Sequence, residues 1–354
     1  MGIVECRKGM IHTFLRVPFE TLMEICSFLD LKEFLLLDFA LNTHKSQKAW
    51  EKTKDKILVL LYHQSFVIQR KFSGHRDIVR CLLRLTDGRI VSGGDHDSIK
   101  VWNTNSSACE KLLGPHYQGD IFNLIQLADG RLVACPHTKS LLIWDIETGD
   151  CKNKLEDHKE WILCLEQLSD GRVITGCSDK TIKIWNIKTG VCEQIWDGHS
   201  SITRCLIQIS DNRIVSGSYD RTIKIWNISN GRCELTLEGH REDVACLLQL
   251  ADGRIVSGSY DDSIRIWNLN SGLCEKKLEG HTQWVLNLIQ ITDGRLVSCS
   301  LDQTIKVWNV STGVCEVTLT YLDHCFTSLL SLSDNQIMSG TEDGSIFLWR
   351  HLEK

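Results

Sequence analysis

The sequence predicts an all-β protein built from seven copies of one four-stranded unit, preceded by a small all-α segment. Three observations predict it. Tryptophans stand at Trp102, Trp144, Trp185, Trp226, Trp267, Trp308 and Trp349, spaced 42 residues once and 41 five times. Histidines at His75, His116, His158, His199, His240, His281 and His324 run in parallel, and self-similarity at such a period marks a repeat architecture. Upstream of residue 66 the period is absent, and Leu15, Ile25, Leu29, Phe34, Leu37 and Ala40 fall at helical intervals around Pro18.

Each element follows from one unit. After His240 come an apolar stretch, Val244–Leu250, the turn dipeptide Asp252-Gly253, the segment Arg254–Ser257, the pair Tyr260-Asp261, then Ser263–Trp267 and the turn Asn270–Gly272. This reads as four short strands. Asp-Gly, or Asp-Asn in two units, suits tight hairpins that need positive φ, so the first two strands are antiparallel neighbours. Only 3 prolines occur in the chain, as strands require.

Composition bounds the function. The 354 residues are 42% hydrophobic and 24% charged, an ordinary globular balance that excludes disorder and collagen. The longest apolar runs, Phe34–Leu37 and Ile57–Leu61, fall far short of the roughly 18 residues of a membrane helix. The start Met-Gly-Ile-Val-Glu-Cys lacks a secretory core, and Cys6 stands where a myristoylation signal prefers Ser or Thr. An intracellular protein, cytoplasmic or nuclear, is expected. Lys and Arg number 40 against 45 Asp and Glu, for a net charge of −5, which argues against nucleic acid as partner. The 16 cysteines contain no Cys-x-x-Cys pair; Cys109, Cys151, Cys192, Cys233, Cys274 and Cys315 follow the repeat, as do Cys81, Cys164, Cys205 and Cys246, so reduced, buried, packing thiols are expected rather than zinc or any cofactor.

The residues Gly239-His240, Asp261 and Ile266-Trp267-Asn268, with their counterparts, resemble the WD-repeat family over about residues 66 to 350. The resemblance implies a seven-bladed WD40 β-propeller in which Phe66–Phe72 pairs with the last blade to close the ring, and in which each blade edge is covered by the next. It also settles a catalytic temptation. His240, Ser257 and Asp261 have the residue types of a hydrolase triad, but the set recurs at His199, Ser216, Asp220; at His281, Ser298, Asp302; at His324, Ser339, Asp343; and, with Thr, at His158, Thr175, Asp179. Repetition argues for structure: in WD repeats His240, Ser257, Asp261 and Trp267 resemble a buried hydrogen-bonded tetrad. No unrepeated nucleophile and base is evident, so no enzyme is expected. Unit one has His96 in place of the acid; unit two has Ala134 and Thr138 in place of Ser and Asp and one extra residue around Tyr117–Phe122. Blade two is expected to be the least rigid, through drift or because its loops serve a partner.

The string from Leu15 to Phe34 resembles the F-box, a helical domain that binds the adaptor of cullin-based SCF ubiquitin ligases, through Leu15, Pro18, Glu20, Ile25, Leu29, Leu31 and Phe34. Beyond it only Trp50 matches the family's second half. The implied organisation is a tail at 1–13, an F-box-like domain at 14–50, a short helical linker at 51–65, the propeller at 66–350 and a tail at 351–354. An F-box followed by WD repeats implies a non-catalytic substrate receptor, with Leu15, Pro18, Ile25, Leu29, Leu31 and Phe34 on the adaptor, cullin recruited through it, and a target on the propeller. The rival readings are a WD scaffold for protein–protein assembly with a helical cap, and a microbial effector that recruits a host ligase.

Subtracting the repeat isolates residues for one propeller face: Arg80 and Arg204 five beyond the unit histidine, Trp161, Asp243 and Trp284 three beyond it, and Tyr219 and Tyr260 just before the blade acid. Arg80 and Arg204 resemble the arginines with which F-box/WD receptors hold phosphorylated peptides, and Tyr219 and Tyr260 resemble the accompanying tyrosine. The expected peptide-binding set is Arg80, Arg204, Trp161, Trp284, Tyr219 and Tyr260, with phosphorylated, acidic and neutral peptides all open. Either arginine could instead pair with an acid such as Asp77, Asp220 or Asp261.

Overall fold

The computed structural model describes residues 66–96, 98–114, 119–156, 158–209, 212–321, 324–332 and 336–351. The F-box-like segment, with Leu15, Pro18, Ile25, Leu29, Leu31 and Phe34, lies outside the described residues. Every described element is a strand, β1 to β28, and they form seven antiparallel four-stranded sheets. This is a seven-bladed β-propeller.

Six blades take four consecutive strands. The first is β2 (Val79–Arg84), β3 (Ile90–Gly94), β4 (Ile99–Trp102) and β5 (Cys109–Leu113). The seventh joins both ends of the domain: β26 (Phe326–Ser331), β27 (Gln336–Thr341) and β28 (Ile346–His351) carry β1 (Phe66–Phe72) as their outer strand, with Phe66 opposite His351 and Phe72 opposite Ile346. Phe66 and Phe72 are buried, and Ser328 and Thr327 donate to the carbonyl of Val79, tying blade seven to blade one. The innermost strands β2, β6 (Ile121–Gln126), β10 (Ile162–Gln167), β14 (Thr203–Ile209), β18 (Val244–Gln249), β22 (Val285–Gln290) and β26 each pack on the next and close the ring.

Apolar side chains of the middle strands fill the space between blades. Val256, Ile264 and Ile266 of blade five pack with Val285, Leu288 and Leu296 of blade six in one buried cluster. Blades approach so closely that a Cβ at Gly258 would stand 2.6 Å from the Cys246 sulfur and 2.7 Å from Val285. In the first hairpin of blades one, two, three, five and six the glycine alone takes positive φ, as Gly88 does at +90°, donating to the Leu85 carbonyl at 2.9 Å while the Asp87 carboxylate holds Arg89; in blade four Asn212 takes that place at +59°. The turn is therefore the three-residue type with a left-handed glycine, not the two-residue type with both residues left-handed.

The two cysteine series divide. Cys81, Cys164 and Cys246 on the inner strands are buried, and burial pushes the Cys81 thiol up to about 12. The series beginning at Cys109 is not buried as expected: Cys109, Cys151 and Cys233 are exposed, because that register begins the outermost strands, whose far edge no blade covers. Among the described residues no group of three or more His, Cys, Asp or Glu is placed to hold a metal.

Candidate functional site: the channel mouth

The tetrads fix the loops from which the face is built. In blade five the Trp267 indole donates to Ser257 Oγ at 2.8 Å, Ser257 meets His240 Nε2 at 2.7 Å, and His240 Nδ1 meets Asp261 at 2.9 Å. The carboxylate fixes the proton on Nδ1, which leaves Nε2 to accept from the hydroxyl. Blades four and six repeat this through Trp226, Ser216, His199 and Asp220, and through Trp308, Ser298, His281 and Asp302. Burial opposes ionisation of the three acids, but bonds from the histidine, a hydroxyl and a backbone N–H outweigh it and hold all three well below the usual range. No such group is open to a substrate: the His240 and Asp261 side chains are almost wholly buried.

Elsewhere the set departs from this pattern. Blade three joins Trp185 and His158 through Thr175, at 2.9 and 3.3 Å. Blade one joins Trp102 and His75 through Ser92, while His96 at the acid position points outward with its side chain 73% exposed. In blade two Ala134 supplies no hydroxyl, and the buried Trp144 Nε1 has no partner. In blade seven Trp349 donates to Ser339 at 2.8 Å, but His324 lies only near Asp343, at 3.7 Å. His324 follows His281 by 43 residues, two beyond the usual 41, so it is past the register from which its ring could reach Ser339.

The same loops carry the residues that differ. In every inner strand the pairing shifts after the first residue, leaving one bulged residue per blade: Arg80, Phe122, Leu163, Arg204, Ala245, Leu286 and Thr327. Such a bulge re-aims a side chain. Beside it, the backbone N–H of one residue on the neighbouring loop bonds the strand's entry carbonyl: Asp95 to Ile78, His137 to Asp120, Ser178 to Trp161, Tyr219 to Ile202, Tyr260 to Asp243, Leu301 to Trp284 and Glu342 to Cys325.

On blades four to six Tyr219 and Tyr260 meet hydroxyl to hydroxyl at 3.3 Å, and Tyr260 stacks on Trp284 with centroids 4.1 Å apart and planes 13° apart. Trp284 remains 45% exposed. Arg204 lies against both tyrosines. It makes no hydrogen bond or ion pair with any described residue; Asp220 and Asp261 are held by their histidines, and Asp243 faces Arg221. Burial works against the Arg204 charge, yet its titration is shifted upward, with Tyr260 and Tyr219 opposing deprotonation, and a guanidinium stays charged in any case. Burial also raises the Tyr219 phenol, which stays neutral.

Blades one to three hold a second arc. Arg80 is engaged by Asp95 through two parallel bonds, Nη2 to Oδ2 at 2.5 Å, and lies over the Phe122 ring at 4.9 Å. Phe122 meets His137 at 5.2 Å, and His137 meets Trp161 at 3.9 Å, with Trp161 47% exposed. The peptide-binding set expected from sequence thus lies in two arcs: Arg204, Tyr219, Tyr260 and Trp284 in one, Arg80 and Trp161 in the other. Of the two arginines Arg80 is paired with Asp95, an acid not among those expected, whereas Arg204 has no carboxylate partner among the described residues. Phe122 and His137 are additions; the extra residue in unit two breaks any count from its histidine, whereas alignment on the strand register exposes both.

A family model, WD domain, G-beta repeat, matches residues 66–103, 149–186, 190–227, 231–268 and 272–309, together more than half of the chain. No curated protein matches the sequence. Among solved structures, the crystal structure of the WD40 beta propeller domain of Doa1 superposes with a TM-score of 0.74 at 22% identity, covering 82% of this chain and 98% of that one, a likeness of fold. With tetrads, ring and repeat matches agreeing, the chain belongs to the WD40 repeat family.

Proposed function

We propose that the chain is a non-catalytic substrate-recognition subunit of an SCF-type ubiquitin ligase, in which residues 14–50 dock the adaptor and the channel mouth holds an acidic or phosphorylated segment of a target protein. WD40 propellers serve protein–protein interaction, and among the described residues no constellation at this mouth pairs a nucleophile with a base. The observation that carries the peptide reading is Arg204: a charged guanidinium without a carboxylate partner among the described residues, under the electrostatic influence of Tyr260 and Tyr219, whose hydroxyls meet each other, with the Tyr260 ring stacked on the exposed Trp284. A phosphate of charge near −2 or a carboxylate would complete it with charge-assisted hydrogen bonds, while Trp284 supplies the aromatic anchor typical of binding hot spots. The ligase part of the reading is supported by the resemblance of Leu15–Phe34 to the F-box.

Binding of purified SCF adaptor to the full chain tests it, alongside a Leu15→Ala, Pro18→Ala, Leu29→Ala variant whose propeller fold is checked by its melting transition. Micromolar or tighter binding that the variant loses is the expected result. No binding by the full chain removes the ligase role and leaves a WD scaffold.

A further inference from the structure

Below the mouth, the ring of inner strands presents one residue per blade at the register four beyond the strand's first residue. Six blades place hydrocarbon there: Leu83, Ile125, Ile207, Leu248, Ile289 and Leu330. Blade three places Glu166. Glu166 makes no hydrogen bond or ion pair with any described residue. The strands packed against β10 bring few titratable groups: Arg204 and Cys205 on β14, Cys177 on β11 (Val173–Cys177), Cys135 on β7 (Leu132–Pro136), and none on β6. The thiols are neutral, and burial alone lifts the Glu166 carboxyl to about 7.

A half-buried carboxylate without a partner among the described residues costs stability and returns none to the fold, where a leucine would pack. Its occurrence at one blade of seven, next to the blade that carries the unpaired Arg204, has a ligand's logic. Arg204 stands about three strand residues nearer the mouth, roughly 10 Å along the channel. Two opposite charges, both unpartnered, are thereby offset along one wall.

We propose that β10 and β14 form a bipartite site for a peptide that sets a carboxylate or phosphate on Arg204 and sends a lysine or arginine side chain down the channel to Glu166. The proposal rests on the peptide reading of the mouth and narrows it: acidity alone is insufficient, and a basic residue at fixed spacing from the acidic one is part of the recognised segment. A long cationic side chain fits this role because its methylene stem can lie along the apolar ring while its head reaches the acid.

The test is selection of a random displayed-peptide library on the full chain, on Glu166→Leu, which installs the residue other blades carry, and on Arg204→Ala. The expected wild-type pool is enriched in Asp or Glu and in Lys or Arg at one separation; the Glu166→Leu pool keeps the acidic position and loses the basic one, and the Arg204→Ala pool does the reverse. A synthetic peptide of the wild-type consensus then loses roughly tenfold or more in affinity when its basic residue becomes norleucine, on the parent but not on Glu166→Leu. Between about pH 6 and about pH 8 its affinity for the parent rises as Glu166 ionises. A wild-type pool that is acidic without a basic position, or a basic position that survives Glu166→Leu, overturns the bipartite site while leaving the peptide face standing. A library that yields no binder to the parent overturns both.

Discussion

Blades four to six and blades seven, one and two are halves of one ring built on one repeat, and they use it differently. In the first half every tetrad is complete, from Trp226 through Asp302. In the second half each departs at one position: His324 is out of register, His96 stands where the acid does in the other half, and Ala134 removes the central hydroxyl. The family model matches all three complete blades and passes over blades two and seven. The mouth shows the same division at one register. Arg80 and Arg204 are equivalent bulge residues, but the loop beside Arg80 offers Asp95 and the loop beside Arg204 offers Tyr219. One arginine is paired inside the protein; the other has no carboxylate partner among the described residues. Rigid, fully bonded loops carry the open charge, which is the arrangement that holds a binding group in place without ordering costs at capture.

Breaking a complete tetrad has the largest expected effect. Ser257→Ala leaves the Trp267 N–H and His240 Nε2 buried without their shared partner, at about 2–4 kcal/mol for two orphaned groups. Denaturant unfolding measures it; a loss under about 1 kcal/mol would mean that water replaces the hydroxyl. Converting blade four into blade one at the mouth is next. Tyr219→Asp sets a carboxylate beside Arg204 as Asp95 sits beside Arg80, and affinity for peptides selected on the parent should drop by about 1.5–3 kcal/mol. Unchanged affinity would show that Arg204 is not the anchoring charge.

Glu166 gives a smaller, pH-dependent effect. Its carboxyl titrates near 4.5 when unfolded and about 7 when folded, so the fold prefers its neutral form. Its contribution therefore falls as pH rises from about 4.5 to about 7 and is level beyond. Glu166→Leu should be more stable than the parent by about 1–3 kcal/mol at pH 8 and nearly equal to it at pH 4, by thermal or denaturant unfolding at both pH values. An equal difference at the two pH values would mean the acid is not buried uncharged. The tetrad acids act in the opposite sense: with Asp220, Asp261 and Asp302 held low, their stabilisation is lost as pH falls below about 4.

The sequence made the ring legible because one-dimensional repetition constrains every strand at once: the tryptophan period locates the third strand of each unit and the Asp-Gly pairs locate the first hairpin. It was less informative where count and register part. His324 looked like a tetrad member by type but stands two residues late. Phe122 and His137 were hidden by a one-residue insertion. Arg80 was matched with acids in other loops because the pairing with Asp95 depends on a bulge that spacing does not announce. Glu166 is the one charged letter in the strand ILCLEQ and becomes notable only when seven strands are laid in register.

The smallest change tests whether the half-ring that lost its tetrads lost stability with them. Ala134 occupies the place of Ser216 and Ser257: it pairs with Leu142 as Ser216 pairs with Lys224, it precedes Trp144 by 10 residues as Ser216 precedes Trp226, and it is fully buried. Ala134→Ser adds one oxygen at the point where the other blades hold theirs 2.7 to 2.9 Å from the indole nitrogen. The gained bond satisfies Trp144 Nε1, the cost is burial of one more hydroxyl, and the balance is a stabilisation of about 1 kcal/mol. Ala134→Val, which adds hydrocarbon with no donor or acceptor, should gain nothing. A serine no better than valine in denaturant unfolding would mean that blade two has already relaxed around its unpaired indole, and that a blade can surrender its tetrad at no cost when both neighbours pack against it.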